Sequence, residues 1–330
     1  MSLIEFENVS KEFKIANIEK GVVGMVKSMV HREYTIKKAV DNISFHIDKG
    51  EIVGYIGANG AGKSTTIKLL SGILYPTSGR ISVNGISPYE KRKLNAMHIG
   101  VVFGQRSQLF WDLPFEDTLK LYKKMYHIPD LDFEQNYHYF IELLDMKEFI
   151  KQPVRQLSLG QKMKANIMVS MLHNPEILYL DEPTIGLDVV TKRNLRACIR
   201  QINKERNTTI ILTTHDMNDI EAVCSRIILI DKGKKLFDGD MGHFRENYAA
   251  GVEFVLEFFE ANPKWESANG FTLIEEGDLK WKVNYKGEAK NSSDLCVYLI
   301  EKYRPANIWV SVPSVENIVA DFYTGGLRKL

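Results

Sequence analysis

Short apolar runs separated by amphipathic stretches organise the first 240 residues of the chain. Four of these runs predict buried strands, at 51–56, 99–103, 176–181 and 208–212. Apolar residues at helical spacing predict helices at 66–70, 115–122 and 133–144. Strands therefore alternate with helices through most of this part of the chain.

The pattern changes after Gly239. Alternating apolar and polar residues predict strands at 252–258 and 280–285, and a further strand is predicted at 308–312. Helical spacing predicts helices at 293–303 and 314–323, the second of which ends at the glycine pair 325–326. We expect a small α+β domain at 241–330, without a catalytic constellation of its own, after a first domain at 1–240.

Composition narrows the class of protein. The 330 residues suggest two or three domains, and a net charge of +1 gives no overall field that would attract nucleic acid, so no nucleic-acid partner is expected. Cys198, Cys224 and Cys296 lie far apart and are expected to be reduced thiols in a cytosol. The sequence predicts neither a signal peptide nor a membrane-spanning stretch, so a membrane role would require a partner.

A glycine-rich segment follows the first predicted strand. Its glycines let successive backbone N–H groups point inward, which makes an anion-binding concavity at the start of a helix. Lys63 adds a positive charge for the β- and γ-phosphates, and the Ser64 hydroxyl is a natural Mg²⁺ ligand. The predicted nucleotide-binding residues of this loop are Gly57, Asn59, Gly60, Ala61, Gly62, Lys63, Ser64 and Thr65. A phosphate-binding loop is the consistent interpretation, because strand, loop and helix follow in that order.

Two carboxylates, Asp181 and Glu182, end the strand predicted at 176–181. Neighbouring residues of an extended strand point to opposite sides, so the two side chains are expected to have different roles. Asp181 is predicted to meet the Mg²⁺ shell and Glu182 to face the attacking water as general base. Without the loop at 57–65, the same pair would be interpreted as a solvated turn.

A short motif, Leu157-Ser158-Leu159-Gly160-Gln161, lies between the loop and the two carboxylates. With it the chain resembles the ATPase cassettes of ABC transporters, which carry a Leu-Ser-Gly-Gly-Gln signature at this place. Leu159 stands where that family has glycine, but the backbone N–H remains. The resemblance implies that Ser158, Leu159, Gly160 and Gln161 bind the γ-phosphate of ATP held by the opposite subunit. A helix N-terminus at this point would attract phosphate.

Three further segments resemble family motifs in the expected order. Gln105 follows the strand at 99–103 and resembles the glutamine loop, which implies contact with Mg²⁺ and the γ-phosphate. Asp188 resembles the D-loop aspartate, although the preceding spacing departs from the commoner form. His215 follows the strand at 208–212 and resembles the histidine switch, whose imidazole can donate to the γ-phosphate and hold the attacking water of Glu182.

The resemblance implies an α/β fold of the P-loop NTPase type. Its core would be a mixed sheet, with a helical subdomain inserted at 105–157. The aromatic segment 109–114 is either subdomain core or the surface that receives a membrane subunit, and the resemblance favours the second interpretation. The sequence of residues 104–114 is similar to that of cassettes which pair with ABC-2-type permeases, and these are mostly exporters.

Adenine requires a flat apolar surface. The family places an aromatic residue after its first strand, which favours Phe13, with Tyr34 as the rival and core packing as the alternative for Phe13. An insert at about 16–38 separates the two aromatics and combines apolar residues at helical spacing with basic residues. It would be either a helix docked on its own domain or a segment at a membrane surface.

Together these features predict an ATP-hydrolysing subunit of an ABC-type transporter. ATP and Mg²⁺ are the expected cofactors, and a second copy of the chain and integral membrane permease subunits are the expected partners. The chain would lie in the cytoplasm, peripheral on the inner face of the cell membrane, and would energise export. A soluble ABC ATPase without transport and an importer ATPase are the alternatives. The first lacks support, because the chain shows one motif set and no sustained heptads. For the 241–330 domain, dimer stabilisation or regulation is favoured over ligand sensing.

Overall fold

The computed structural model describes residues 2–16, 34–104, 107–248, 251–260, 264–266, 270–285, 291–311 and 315–324. The chain divides into two compact units, Met1–Asp240 and Met241–Leu330. Each unit is built around a sheet and has its own core.

The first unit contains both strands and helices, which alternate through its middle part. Its described strands are β1 (Ser2–Ala16), β2 (Tyr34–Asp48), β3 (Ile52–Gly57), β4 (Ser78–Val83), β5 (Ile99–Phe103), β6 (Ile177–Asp181), β7 (Thr209–Thr214), β8 (Arg226–Asp231) and β9 (Lys234–Asp240). Its described helices are α1 (Lys63–Leu70), α2 (Arg92–His98), α3 (Phe115–Met125), α4 (Asp130–Leu143), α5 (Leu159–Met171), α6 (Val189–Arg206) and α7 (Met217–Val223), with a 3₁₀ turn at Val154–Gln156.

The main sheet has the strand order β5-β6-β7-β3-β8-β9. Its pairs are parallel except for β8 with β9, so the predicted mixed sheet is confirmed. Every residue of β3, β6 and β7 is buried. Continuous burial explains why these segments do not alternate apolar and polar residues, since a central parallel strand is covered on both faces.

A second, antiparallel sheet has the order β2-β1-β4. It packs its apolar face into a core shared with β3, where Phe6 and Phe45 stack at 4.7 Å between ring centroids and Phe45 lies 5.9 Å from Tyr55. The ends of the predicted 16–38 insert belong to this sheet, because Ala16 pairs with Tyr34 and Phe13 with Lys37. The prediction of an amphipathic helix is therefore wrong at 34–38, and residues 17–33 lie outside the described part of the chain.

Two helices stand between β5 and α5, where the helical subdomain was predicted at 105–157. The helices expected at 115–122 and 133–144 are present as α3 and α4, each with slightly different bounds. Acidic residues occupy the first turn of both helices, which suits the positive end of a helix dipole. The segment after α4 returns through the 3₁₀ turn to α5, which begins at Leu159.

The second unit is a four-stranded antiparallel sheet with helices, so the predicted α+β class is confirmed. The strands are β10 (Val252–Glu257), β11 (Phe271–Glu276), β12 (Lys280–Tyr285) and β13 (Asn307–Ser311), in the order β11-β12-β10-β13. The helices are α8 (Met241–Tyr248), α9 (Ser292–Tyr303) and α10 (Val315–Thr324). Strand β11 and helix α8 were not predicted. Trp281, which is fully buried, lies at the centre of this core beside Phe258 and Tyr303.

Helix α5 lies very close to the main sheet at Gly100 of β5. A Cβ atom added at Gly100 would collide with the backbone carbonyl oxygen of Ser170 on α5. This glycine therefore sets how closely the C-terminal end of α5 approaches the sheet.

We expect Gly100→Ala to lower the free energy of unfolding by about 1–3 kcal/mol, because strand and helix backbones must separate. Gly239→Ala on β9 is the matched control, since its Cβ would meet only the ring tip of Phe237, at 2.8 Å. Urea denaturation of both variants measures the difference. Equal losses would show that the approach of α5 to β5 is not tight.

Candidate active site

The loop after β3 is shaped by glycines that tolerate no side chain. A Cβ at Gly57 would lie 2.7 Å from the carbonyl oxygen of Ile230, and one at Gly62 would collide with the carbonyl oxygen of Ala39. Gly60 and Gly62 have φ angles of 83° and 116°, in the left-handed region. Gly62 is the N-cap of α1 and offers no side-chain cap. The first N–H groups of α1 are therefore left for an anion.

Lys63 is the first residue of α1, and its side chain is only 6% exposed. Its ammonium donates to the carbonyl oxygens of Gly57 at 2.8 Å and Ala58 at 3.3 Å. It also lies 3.7 Å from Oε1 of Glu182. A buried cation thus sits beside the anion-binding loop, held by the carbonyl groups of the loop itself.

Asp181 and Glu182 are separated by a change of backbone conformation and not by strand alternation. Strand β6 ends at Asp181, and Glu182 has a φ of 53°. Our explanation from alternating strand faces was therefore wrong, although the two side chains do differ in their contacts. The Thr213 hydroxyl donates to Oδ1 of Asp181 at 2.6 Å, and the Glu182 N–H donates to the carbonyl oxygen of Thr213 at 2.9 Å.

His215 follows β7, and its imidazole lies close to the carboxylate of Glu182. Its Nδ1 lies 3.6 Å from Oε2 of Glu182, with the imidazole 55% exposed and the glutamate 18% exposed. Gly104 approaches from β5, where its N–H donates to the carbonyl oxygen of Asp181 at 2.7 Å. Gln105, the next residue, lies outside the described part of the chain.

These groups line one cavity of about 1160 Å³. Its described lining is mostly the loop after β3 and the ends of β1, β2, β5 and β6. The lining residues are Phe13, Lys14, Ile15, Lys37, Ala39, Asn59, Gly60, Gly62, Lys63, Ser64, Thr65, Lys68, Ile73, Phe103, Gly104, Asp181, Glu182, Ile185 and His215. Of the predicted loop residues, Gly57 and Ala61 lie behind this surface.

Phe13 and Tyr34 differ in their relation to the cavity. Phe13 lines it, is 36% exposed and carries the Lys11 ammonium 5.3 Å from its ring centroid. Tyr34 is 51% exposed and does not belong to the described lining. Because the Phe13 ring is partly exposed beside a cationic loop, stacking on a purine base is a better interpretation of it than core packing.

The oxygen ligands of the cavity suit Mg²⁺. Ser64 and Asp181 both line it. Within the described ranges, no group of three or more His, Cys, Asp or Glu side chains is placed to hold a metal ion. Mg²⁺ fits this arrangement, because it is usually bound by one or two protein ligands together with substrate phosphates and water.

The signature residues lie outside the cavity of their own chain. Ser158 caps α5: its hydroxyl accepts from the Gln161 N–H at 3.2 Å, while its own N–H donates to the Gln161 side chain at 2.8 Å. Leu159 is 49% exposed. Residues 158–161 therefore form a capped helix N-terminus at the surface of a single chain.

Asp188 begins the neighbouring helix α6. Its carboxylate accepts from the N–H of Thr191 at 2.9 Å and from the Thr191 hydroxyl at 2.6 Å. The hydrogen bond from the Thr191 hydroxyl, and after it the one from the Thr191 N–H, lowers the pKa of Asp188 below its ordinary value. The motif residue is thus the N-cap of α6, and a Cβ added at Gly160 would lie 2.9 Å from the Thr191 methyl group.

Comparison with known proteins identifies the family of the chain. The family model described as "ABC transporter" matches residues 40–185. An uncharacterized ABC transporter ATP-binding protein of Methanocaldococcus jannaschii is 36% identical over 203 residues, which are 62% of this chain and 72% of that protein. The chain belongs to the ABC transporter family of ATP-binding subunits.

Other members of the ABC family differ in length. The bacitracin transport ATP-binding protein of Bacillus licheniformis is 32% identical over 223 residues, 68% of this chain and 72% of that protein. ABC transporter A family member 7 of Dictyostelium discoideum is 34% identical over 228 residues, which are 68% of this chain but 26% of that protein. The chain therefore spans about a quarter of the length of that Dictyostelium relative.

A solved dimeric structure of a bacterial ABC transporter cassette has the same fold. It superposes with a TM-score of 0.58 at 26% identity and covers 72% of this chain and 98% of that one. As an ABC ATPase, the protein binds and hydrolyses ATP. In the described part of the chain, no helix has the length and apolar character needed to cross a membrane.

Sequence reasoning missed several residues of the site. Thr213 holds both Asp181 and Glu182, and Lys14, Lys37 and Lys68 add positive charge to the cavity wall. The sequence did not predict the role of Thr213, because threonine is common in strands and this one lies in a strand rich in β-branched residues. The lysines belong to no motif: pairing of β1 with β2 places Lys14 and Lys37, and helix α1 carries Lys68.

We expect Phe13→Ala to weaken ATP binding by about 1–3 kcal/mol, since base–aromatic stacking is lost. Tyr34→Ala is the matched control on the paired strand and should bind ATP like the unchanged protein. Equilibrium titration with a fluorescent ATP analogue compares the two. A larger loss for Tyr34→Ala would reverse the assignment of the stacking residue.

Proposed function

We propose that this chain is the motor subunit of an ABC exporter, in which two copies enclose two Mg·ATP and drive a separate ABC-2-type permease. The observation that carries the proposal is the position of Glu182. Its carboxylate lies between the Lys63 ammonium at 3.7 Å and the His215 imidazole at 3.6 Å, on the wall of the phosphate-binding cavity.

This arrangement supports hydrolysis at the γ-phosphate. Glu182 accepts a proton from water as the water oxygen attacks the γ-phosphorus, and the bond from that phosphorus to the β–γ bridging oxygen breaks. His215 donates to the γ-phosphate and holds the water in line. Lys63, whose ammonium lies against the carbonyl groups of the loop, balances charge on the β- and γ-phosphates.

Ser64, Asp181 and Gln105 are the residues that would hold Mg²⁺. The ion would supply further neutralisation of phosphate charge when bound. Asp181 is prepared for this role, because the Thr213 hydroxyl orients its carboxylate at 2.6 Å. The two neighbouring carboxylates would therefore have different roles: Asp181 would bind the metal ion, and Glu182 would accept the proton of water.

Each site would be completed by the second copy. The support is that residues 158–161 present a capped helix N-terminus that does not line the cavity of its own chain. Such an N-terminus binds phosphate through its N–H groups. The dimeric cassette of similar fold is consistent with pairing of two chains. Asp188, at the start of α6 beside Gly160, would lie in the same dimer interface.

An aromatic surface is available for the permease. Phe110, Trp111 and Leu113 are 41%, 57% and 41% exposed. The ammonium of Lys162, next to the signature, lies 4.7 Å from the ring centroid of Trp111. A membrane subunit seated on this surface would therefore touch a residue that contacts the signature helix. The similarity to a bacitracin transport ATP-binding protein supports a bacterial transporter of antibiotics as the complex in which the chain works.

The remaining assignments follow from this role. The chain would lie in the cytoplasm on the inner face of the membrane, bound through its permease. The second unit, Met241–Leu330, would stabilise the dimer or regulate it. Its sheet shows exposed apolar residues that suit a protein surface, among them Trp309 and Val310.

We expect Glu182→Gln to keep ATP binding and to lower kcat by about 100-fold or more, because the amide keeps the shape but accepts no proton. It should also accumulate a closed dimer with Mg·ATP on gel filtration. Glu148→Gln, an exposed glutamate of the helical subdomain, is the control and should turn over normally. Unchanged turnover of Glu182→Gln would remove Glu182 as general base.

We expect Ser158→Arg to abolish hydrolysis while each chain still binds ATP, since the added cation blocks the partner's phosphate pocket. Lys63→Ala should lose affinity by about tenfold or more, because a charge-assisted bond to phosphate is lost. A mixture of the two variants contains heterodimers with one intact composite site and should recover hydrolysis. Loss of ATP binding by Ser158→Arg monomers would contradict a site shared between chains.

A further inference from the structure

Asp219 on α7 is a completely buried carboxylate that belongs to no recognised motif. Its Oδ2 accepts a short hydrogen bond from the Thr184 hydroxyl and another from the Thr214 hydroxyl, at 3.3 Å. Its Oδ1 accepts from Nε of Arg196 at 2.6 Å, and Nη2 of Arg196 contacts the same oxygen. One carboxylate thus joins the turn after β6, the end of β7 and helix α6.

Two of these segments carry the proposed catalytic side chains. Thr184, which is 3% exposed, lies two residues after Glu182, and Thr214, which is 1% exposed, directly precedes His215. The strands that lead into them, β6 and β7, are neighbours in the main sheet. Asp219 therefore ties together the two turns that set the distance between Glu182 and His215.

The third segment supplies the charge that makes this arrangement stable. A buried carboxylate is costly unless it is paired and hydrogen-bonded, and the Arg196 guanidinium fulfils that condition from α6. Beside it, Oδ2 of Asp216 contacts Lys192 at 2.7 Å and Nη2 of Arg196 at 3.8 Å. The residue after His215 is thus held by the same helix.

Among the described residues, the side-chain hydrogen bonds and ion pair of Asp219 reach Thr184, Thr214 and Arg196, none of which lines the cavity. Nucleotide contacts would therefore survive a change in this network, whereas the mutual placement of base and imidazole would not. This separation distinguishes a role in the chemical step from a role in binding.

We propose that Asp219 is a positioning residue for ATP hydrolysis: anchored by Arg196, it holds Thr184 and Thr214 and thereby fixes Glu182 and His215 at their working distance. The proposal rests on the proposed function, in which Glu182 is the base. The left-handed turn at Glu182, with φ of 53°, explains why such an anchor is needed, because a non-glycine residue adopts that conformation only when its surroundings impose it.

The test replaces single hydroxyl groups in the full-length chain, so that Asp219 keeps its arginine and folding is preserved. Thr184→Val removes the hydroxyl at nearly constant volume, and Thr184→Ser keeps it. Thr118→Val is the matched control: Thr118 on α3 is also fully buried, and its hydroxyl has no hydrogen-bond partner among the described residues. Basal kcat and KM for Mg·ATP, and the affinity for a fluorescent ATP analogue, are measured for each.

For Thr184→Val we expect kcat to fall about tenfold or more, with ATP affinity unchanged, since a hydrogen bond to a buried charge is lost. Thr184→Ser and Thr118→Val should keep kcat close to that of the unchanged protein. The proposal is overturned if Thr184→Val keeps its kcat, if its affinity falls as much as its kcat, or if Thr184→Ser is equally impaired. An equal loss in Thr118→Val would also overturn it.

Glu182→Gln in the same assay separates the two claims. If it loses turnover while Thr184→Val does not, the positioning role is wrong and the catalytic assignment stands. If Glu182→Gln retains turnover, the assignment of the base is wrong whatever the threonine variants show.

Discussion

The parallel register of three central strands is the constraint on which the site depends. Strand β7 pairs with β3 on one side and with β6 on the other, so that Thr214 lies opposite Ile56 and Thr213 opposite Asp181. The carboxyl ends of the three strands therefore meet at one edge of the sheet. From that edge the chain continues into the loop at 57–62, into Glu182 and into His215. A shift of one residue in the pairing of β6 with β7 would turn Asp181 or Thr213 to the other face of the sheet and break the hydrogen bond between them.

Close backbone approaches keep this edge rigid. Gly57 and Gly62 lie against the carbonyl groups of Ile230 and Ala39, and Gly104 lies against that of Glu182. Below the edge, Asp219 joins the turns that follow β6 and β7. The result is a site whose nucleotide-facing half is complete within one chain, while residues 158–161 face outward. Under the proposed function, a single chain would therefore bind ATP, and hydrolysis would require two chains.

Much of the site could be predicted from sequence, because its motifs are local. The loop at 57–65 and the strand ending at Asp181 each combine a buried run with the residues that follow it. Other features depend on segments that meet only in the folded chain. The left-handed conformation of Glu182 arises from contacts with β7, and the role of Asp219 requires residues 35 positions apart. Strand β11 was missed because only part of it is buried, which weakens alternation.

The most direct test of the shared site is the structure of the Glu182→Gln protein with Mg·ATP. The account predicts a dimer with two nucleotides. Each γ-phosphate should contact Lys63 of one chain and Ser158 of the other, with adenine stacked on Phe13 and Mg²⁺ between Ser64 and Asp181. A nucleotide enclosed by one chain, with Ser158 remote from every phosphate, would contradict it.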